Sequence, residues 1–385
     1  MMDQFIETTP FFTAAHRSLA ARVAEFTQTE VERRAGEDES NTDEALRSYV
    51  RVLAAHDLLR FAVATPGARF DLRAFCIIRE TLSYSSALAD LAFVMQGLGT
   101  YAISVAATEH VRDFWLDRAR TGQAIAAFAL TEPDAGSDIA ALTTNARRED
   151  DTYIINGRKR FISNAGVADF YTVFARTGTR NDGRAEISPF IVSARMPGFN
   201  VAERTEMIAP HPIGALEFKD CRIPAEDMIG KEGDGLRLAL QTLDVFRASV
   251  GAAACGMARR ALNESVSYAK SREQFGKKLA EHQLIQEKLA DMATELDAAR
   301  LLVYRAAYLK DAGDERSTRE ASEAKLFATE AASRIIDQAV QIHGGSGLVR
   351  GEVVERLYRD VRALRIYEGT SEIQKLIIAN QLLKE

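Results

Sequence analysis

The feature that most limits how this chain can fold is a change of hydrophobic period, made twice. From about residue 11 to 120, apolar residues recur at helical spacing, as in Leu46, Tyr49, Val50 and Leu53, and again in Val111, Phe114, Trp115 and Leu116. From about 123 to 235 the pattern gives way to short β-rich runs at 124–130, 152–155, 171–175, 189–192 and 215–218. Gly, Asn and Asp clusters separate them. Asn156-Gly157, set between two runs, is a strong hairpin signal, and Asn181-Asp182-Gly183 marks a second turn. From 236 onward helical spacing returns. Leu236, Leu240, Leu243 and Phe246 step along one face, and 283–309 and 319–342 are amphipathic and long enough for a bundle. The expected architecture is α+β and multidomain: an N-terminal α-helical domain (1–122), a middle β-barrel or sandwich domain (123–235) and a C-terminal four-helix bundle (236–385).

The 385 residues are 46% hydrophobic and 27% charged, enough for two or three packed domains. Net charge is -6, and no basic face or Lys/Arg cluster stands out, so nothing points to nucleic acid. Cys76, Cys221 and Cys255 are far apart and form no CxxC pair. They read as small buried residues in a reducing compartment, not as a disulfide framework or a zinc or other metal site. No basic region followed by an apolar run opens the chain, and no stretch approaches 18 uninterrupted apolar residues. No signal peptide or membrane span is therefore expected, and a cytoplasmic protein is. The polar stretch 33–43 reads as a solvated loop.

Six segments carry candidate chemistry. In Ile366-Tyr367-Glu368-Gly369-Thr370-Ser371, Gly369 permits a sharp backbone corner and close approach of a ligand, and Thr370 or Ser371 can cap the next helix. An acid on such a corner can project into a cavity as a base; equally, it can be a surface acid before a capped helix. Leu130-Thr131-Glu132-Pro133-Asp134-Ala135-Gly136-Ser137-Asp138 follows a strand with a turn rich in hydroxyls and exposed N–H groups, suited to a polar ligand. Phe161 and Ser163 are expected on one strand face, alternating with Ile162, where they can wall a flat heterocycle or simply pack. Asp244 and Arg247 share a helix face, as most surface ion pairs do, but the small residues that follow favour a pocket wall. Ser271-Arg272-Glu273-Gln274-Phe275-Gly276 is followed by Gln283. Gln341-Ile342-His343-Gly344-Gly345-Ser346-Gly347 ends a helix in a glycine-rich loop that could take phosphates, with His343 read as structural.

Together, in this order, these segments closely resemble the acyl-CoA dehydrogenase family of flavoproteins, over nearly the whole chain. The carriers are Thr-Glu-Pro-x-Ala-Gly-Ser-Asp, Arg-x-Gln-Phe-Gly, Gln-x-x-Gly-Gly-x-Gly and the run from Arg359 to Gln374. No Gly-x-Gly-x-x-Gly follows a strand, so a flavin would not sit on a Rossmann fold. The resemblance implies FAD between the β-domain and the C-terminal helices. Phe128, Leu130, Thr131, Gly136 and Ser137 would border it, with Ser137 also reaching the acyl-CoA, and Phe161 and Ser163 would close the other side. Arg272, Gln274, Phe275, Gln283 and Gln341, Ile342, His343, Gly344 and Gly345 would bind the pyrophosphate and adenosine of a neighbouring subunit, joined by Thr370 and Glu372. Asp244 and Arg247 would hold the CoA arm, and Gly369 would lie against the substrate.

The same resemblance implies that Glu368 removes the α-proton while the β-hydride passes to flavin N5, giving a 2-enoyl-CoA. The Glu368 N–H and a flavin ribityl hydroxyl would stabilise the enolate, and burial would raise the Glu368 pKa. An electron-transfer flavoprotein would accept the electrons, and the enzyme would be a homotetramer, a dimer of dimers. Some members carry the base at the Phe246 position instead, and phenylalanine cannot serve. Residues 206–214 and the acidic stretch near 36–43 depart from the family pattern and leave the acyl group open. Val94, Leu98 and Val250 are apolar with no arginine seen near them, and Gly251 leaves room for bulk, which favours an aliphatic, branched or alicyclic acyl group. The alternatives are an acyl-CoA oxidase or monooxygenase on the same scaffold, or a non-catalytic acyl-CoA-binding partner.

Overall fold

A computed structural model describes residues 3–313 and 317–384. Among them, six α-helices come first: α1 (Gln4–Thr8), α2 (Ala14–Phe26), α3 (Thr42–Ala55), α4 (Leu72–Ser85), α5 (Ala87–Ala106) and α6 (Glu109–Arg120). Short polar side chains start them. Asn41 accepts the Glu44 N–H at 3.3 Å to open α3, and Asp71 accepts the Ala74 N–H at 2.9 Å to open α4. The expected face of α3, Leu46, Tyr49, Val50 and Leu53, is buried. Two expectations fail here. Phe114 faces outward beneath the Arg118 guanidinium, 3.6 Å from its ring centre, a cation–π contact that replaces burial. The stretch 33–43 is not wholly solvated, because Asp38 is buried and accepts the Tyr49 hydroxyl at 2.8 Å. Helix α5 is long and apolar enough to cross a membrane by length and composition, and 83% of its apolar window is buried inside the protein.

Seven strands follow: β1 (Ala126–Ala129), β2 (Asn145–Glu149), β3 (Thr152–Ser163), β4 (Phe170–Thr179), β5 (Ala185–Ser193), β6 (Phe199–Arg204) and β7 (Ile213–Pro224). They form one curled sheet in the order β1-β4-β2-β3-β7-β6, with β5 also paired to β4. The turn at Asn181-Asp182-Gly183 is present, joining β4 to β5. Asn156-Gly157 is not a hairpin. Strand β3 runs straight through it with a register shift, and a Cβ at Gly157 would lie 2.6 Å from Thr144 Cα. Glycine here serves a bulge and a close backbone approach. The real two-residue turn is Asp150-Asp151, with Asp150 at φ 51°.

The chain then returns to helix: α7 (Gly235–Ser271), a small ladder of β8 (Glu273–Gln274) with β9 (Lys277–Lys278), α8 (Gln283–Ala312), α9 (Thr318–His343), α10 (Val353–Val361) and α11 (Ser371–Leu382). Small residues on α7 let neighbours close in. A Cβ at Gly256 would lie 2.1 Å from the Glu80 carbonyl, and one at Gly251 would lie 2.7 Å from Val303 and 3.2 Å from the Ala324 carbonyl. Gly251 is thus filled by packing from α8 and α9 and leaves no room for substrate bulk, contrary to the sequence expectation. Cys76, Cys221 and Cys255 are buried and free.

Two compact units emerge. A helical unit comprises Met1–Gly36, Asp71–Asp90 and Asp244–Glu385. A sheet unit comprises Glu37–Phe70 and Leu91–Leu243. In the sheet unit, Val63, Ile103, Leu116, Phe170 and Ile191 share a buried cluster, and Leu130, Leu142, Phe174 and Ile187 form another.

Candidate active site

In the helical unit, Glu368 stands where α10 has ended and α11 has not begun. Its φ is 53° and that of Gly369 is 91°. A left-handed non-glycine residue costs about 1 kcal/mol or more, so the surroundings must hold it. They do so through carbonyls. Gln374 Nε2 donates to the Glu368 carbonyl at 3.2 Å and to the Gly369 carbonyl at 3.0 Å, while Lys325 Nζ donates to the Gly369 carbonyl at 2.7 Å. Thr370 caps α11 by accepting the Ile373 N–H at 3.4 Å. A Cβ at Gly369 would lie 2.5 Å from Gln374 Nε2, so the corner has room only for glycine. The Glu368 N–H donates to no backbone carbonyl among the described residues.

The corner turns the Glu368 carboxyl inward. Its Oε2 is closed to solvent and has no hydrogen-bond partner. Burial pushes this carboxyl's pKa above the usual range, against the pull of Arg79, Lys325 and Arg247. Arg79 donates from Nε and Nη2 to Asp90 at 2.8 and 2.7 Å and from Nη1 to Ser249 Oγ at 2.9 Å. Both Arg79 and Asp90 are buried. Burial also raises the Tyr367 phenol, against the Arg79 charge. An arginine therefore does stand beside the base, bonded to the residue before Val250, where the sequence showed none, and Asp90 pairs with it. Arg247 is only 4% exposed, so its pair with Asp244 is no surface salt bridge: Nη1 donates to Asp244 Oδ1 at 2.8 Å and to Ser322 Oγ at 3.4 Å. Val250 is buried on α7 beside these groups, and Phe246 is buried with its ring 5.1 Å from that of Phe75.

In the sheet unit, Glu132 and Lys159 pin the 130–138 corner. Lys159 Nζ donates to Glu132 Oε1 at 2.8 Å and to the Leu130 carbonyl at 3.1 Å, and Glu132 accepts three further bonds from Thr143 and Thr144. Desolvation opposes ionisation of Glu132, but the Lys159 charge and these bonds outweigh it and hold the carboxyl down, at about 2. The corner leaves the Thr131 and Ser137 hydroxyls without a partner among the described residues, and a Cβ at Gly136 would meet only open space. Phe128 packs 5.0 Å from Phe174, and Leu130 is buried. The simple alternation of Phe161, Ile162 and Ser163 does not hold. A bulge between Lys159 and Ile162 sets Phe161 at φ 55° and 48% exposed. Ser163 Oγ is hydrogen-bonded to His211 Nε2 at 2.8 Å, and burial draws the imidazole down to about 4. His211 belongs to the segment that departs from the family pattern. Val94 and Leu98 are buried on α5.

In the helical unit, Phe275 is 95% exposed at φ 53° on the β8–β9 turn, and the Arg272 guanidinium has no partner among the described residues. Gln283 opens α8, exposed. Cβ atoms at Gly344 and Gly345 would meet nothing within 4 Å. His343 stacks on Tyr268 at 4.3 Å and bonds through Nδ1 to the Ala339 carbonyl at 2.7 Å, a structural anchor for that loop next to Gln341 and Ile342. Glu372 is exposed on α11. The exposed aromatic ring and unpartnered hydroxyls of the sheet unit, and separately the free guanidinium and open glycine turn of the helical unit, are each of the kind that FAD requires, a ring platform and donors for a pyrophosphate. Sequence reasoning missed Arg79, Asp90, Lys325, Gln374 and His211. The only signal for them was charge where apolar packing is the rule: Arg79 in Phe75-Cys76-Ile77-Ile78, and Lys325 on a face of alanines.

Comparison with known proteins bears on this arrangement. Residues 13–123, 127–221 and 233–383 match, in turn, the N-terminal, middle and C-terminal domain families of acyl-CoA dehydrogenase. The 3-(aryl)acrylate reductase of Clostridium sporogenes (strain ATCC 15579) is 40% identical over 382 residues, 97% of this chain and 100% of the relative. The butyryl-CoA dehydrogenase of Megasphaera elsdenii has TM-score 0.89 and 32% identity, covering 97% of this chain and 99% of that one. A glutaryl-CoA dehydrogenase of Mycobacterium smegmatis in complex with FADH2 has TM-score 0.89 and 28% identity, covering 100% and 98%.

Proposed function

Because this chain belongs to the acyl-CoA dehydrogenase family of FAD-dependent oxidoreductases, we propose that it interconverts an acyl-CoA thioester and its 2-enoyl-CoA, with Glu368 as the base. One observation carries this reading: a carboxyl oxygen closed to solvent, without a partner, on a corner whose own N–H is unused. The hydrogen α to a thioester is a poor acid. Its removal needs a base of raised pKa and a donor to the developing enolate oxygen. Glu368 supplies the first through its desolvated carboxylate and the second through its backbone N–H, from one residue. FAD, when bound, supplies the acceptor for the β-hydride. Phe128, Leu130, Thr131, Gly136, Ser137, Phe161 and Ser163 would hold it from the sheet unit, and Arg272, Gln274, Phe275, Gln283, Thr370, Glu372 and the Gln341–Gly345 turn would bind the pyrophosphate and adenosine of the FAD of a neighbouring subunit.

Asp244 and Arg247 would orient the CoA arm, with the buried guanidinium suited to a phosphate or amide oxygen. Val94, Leu98 and Val250 support an apolar acyl group. Arg79 does not oppose this, since Asp90 cancels its charge. Exposed Phe275, Leu348, Leu376 and Leu383, between 59% and 95% accessible, support a homotetramer built through the C-terminal helices. An electron-transfer flavoprotein is the proposed redox partner.

A second reading concerns direction. The Clostridium sporogenes relative is a reductase, and a base that takes the α-proton can return it, so with the β-hydride supplied by reduced FAD, when bound, the same site would reduce an enoyl thioester. Anaerobic mixing of the oxidised enzyme with straight, branched, cyclic and dicarboxylic acyl-CoA thioesters, and of the reduced enzyme with the matching 2-enoyl-CoA, tests both readings through flavin absorbance. Bleaching by an apolar class supports the proposal. Bleaching by glutaryl-CoA alone would overturn the apolar assignment, and peroxide formation in air at the rate of bleaching would make the enzyme an oxidase.

A further inference from the structure

The charged groups facing Glu368 come from several elements: Arg79 on α4, Asp90 on α5, Arg247 on α7 and Lys325 on α9, with Tyr367 preceding it. Two of the three cations already have contact partners. Asp90 holds Arg79 at 2.7 Å and Asp244 holds Arg247 at 2.8 Å. Lys325 differs. It is wholly buried, its Nζ donates to a neutral carbonyl, that of Gly369, and it makes no salt bridge among the described residues. Two other carboxylates act on it more weakly than Glu368. Glu330 is engaged by Arg365 at 2.8 Å and by Ser371, and Glu372 lies exposed on α11. A buried ammonium with no counter-charge is unfavourable, and so is a buried carboxylate with none. The helical unit holds an ammonium without a contact counter-charge, and one residue from the carbonyl it binds stands the unpartnered carboxyl oxygen of Glu368.

We propose that Lys325 is the positioning residue of the base: its ammonium clamps the Gly369 carbonyl that fixes the Glu368 corner, and it is the counter-charge of the Glu368 carboxylate. This rests on Glu368 being the base. Arg79 and Arg247 are spoken for, so Lys325 is the cation whose charge is balanced only while Glu368 is ionised. When Glu368 takes a proton, Lys325 is left uncompensated. Lys325 thereby favours the carboxylate form of Glu368 against a desolvation that favours the acid. Burial in turn draws Lys325 down, to about 8, against the pull of Glu368.

The test uses the holoenzyme as wild type, Lys325→Met, Lys325→Arg, Glu368→Gln and the double Met/Gln variant. Thermal unfolding is followed from about pH 5.5 to 9, a window bracketing neutral pH. The two substitutions are expected to be non-additive, with a coupling that grows as pH rises through the ionisation of Glu368. In parallel, the rate of flavin reduction by butyryl-CoA is measured against pH. The ascending limb should move up by about one unit in Lys325→Met, the lower end of the effect of a nearby opposite charge, and return in Lys325→Arg. Additivity at every pH would overturn the proposal, leaving Lys325 as a clamp of the carbonyl alone. So would a fall in rate with an unmoved limb. Coupling without bleaching by any thioester would support the charge coupling of Lys325 and Glu368 while removing the base reading, so the two failures are separable.

Discussion

Lys159 in the sheet unit and Lys325 in the helical unit are both wholly buried, and burial draws both down to about 8. Each has a glutamate nearby, and there the likeness ends. Lys159 touches Glu132 at 2.8 Å, and both oxygens of Glu132 are taken by Lys159, Thr143 and Thr144. Lys325 touches a carbonyl, and Glu368 keeps an oxygen that nothing satisfies. The carboxyl of Glu132 is pushed down and that of Glu368 is pushed up. The same two residue types thus make a structural lock in one unit and, in the other, the unsatisfied carboxyl proposed as the base. What separates them is which influence prevails: contact with Lys159 and three further donors outweighs desolvation at Glu132, whereas desolvation prevails at Glu368.

Breaking the lock should have the largest effect on stability. Glu132→Gln or Lys159→Met leaves an uncompensated buried charge, which costs about 3–5 kcal/mol in denaturant unfolding. It should also loosen the 130–138 corner, read as weaker flavin retention on gel filtration. An unchanged unfolding curve would mean the pair is not a lock. Gly369→Ala comes next. The added Cβ collides with Gln374 Nε2 on a backbone at φ 91°, so a loss of about 1–3 kcal/mol and a fall in the rate of flavin bleaching are expected.

Acid titration sharpens the comparison through opposite signs. Glu132 has a folded pKa below its ordinary 4.5, so its contribution is present above pH 4.5 and lost as pH falls towards about 2. Glu132→Gln should flatten stability across that window. The folded pKa of Glu368 is raised, so its contribution is present below the ordinary value and lost as pH rises through the folded one. The difference in melting temperature between Glu368→Gln and wild type should therefore shift in favour of the variant as pH rises above the ordinary carboxylate range. Parallel curves would contradict the assignment. The smallest effect is expected from Thr370→Ala, about 0.5–1 kcal/mol for a cap whose bond is long.

Much of this was legible in the sequence because it rests on local pattern. The α-then-β-then-α succession follows from hydrophobic period, and the Glu368 corner from Gly369 with a capping hydroxyl. What was not legible depends on neighbours distant in sequence. Asn156-Gly157 reads as a hairpin until Thr144 is seen pressed against Gly157, while Asp150-Asp151 turns the chain without the glycine that announces a turn. Strands β2 and β6 carry too many charges to show alternation. Arg79 and Asp90 lie on different helices, so no single helical face displays the pair. Lys325 and Gln374 act on carbonyls, and a carbonyl leaves no mark in sequence.

The most direct test of the account is single-turnover flavin reduction by whichever acyl-CoA thioester bleaches the wild-type holoenzyme, repeated with Glu368→Gln. Loss of a positioned base should slow bleaching by about 10³-fold or more while the variant retains its flavin and binds the thioester. Bleaching at the wild-type rate in Glu368→Gln would mean that the unpartnered carboxyl is not the base.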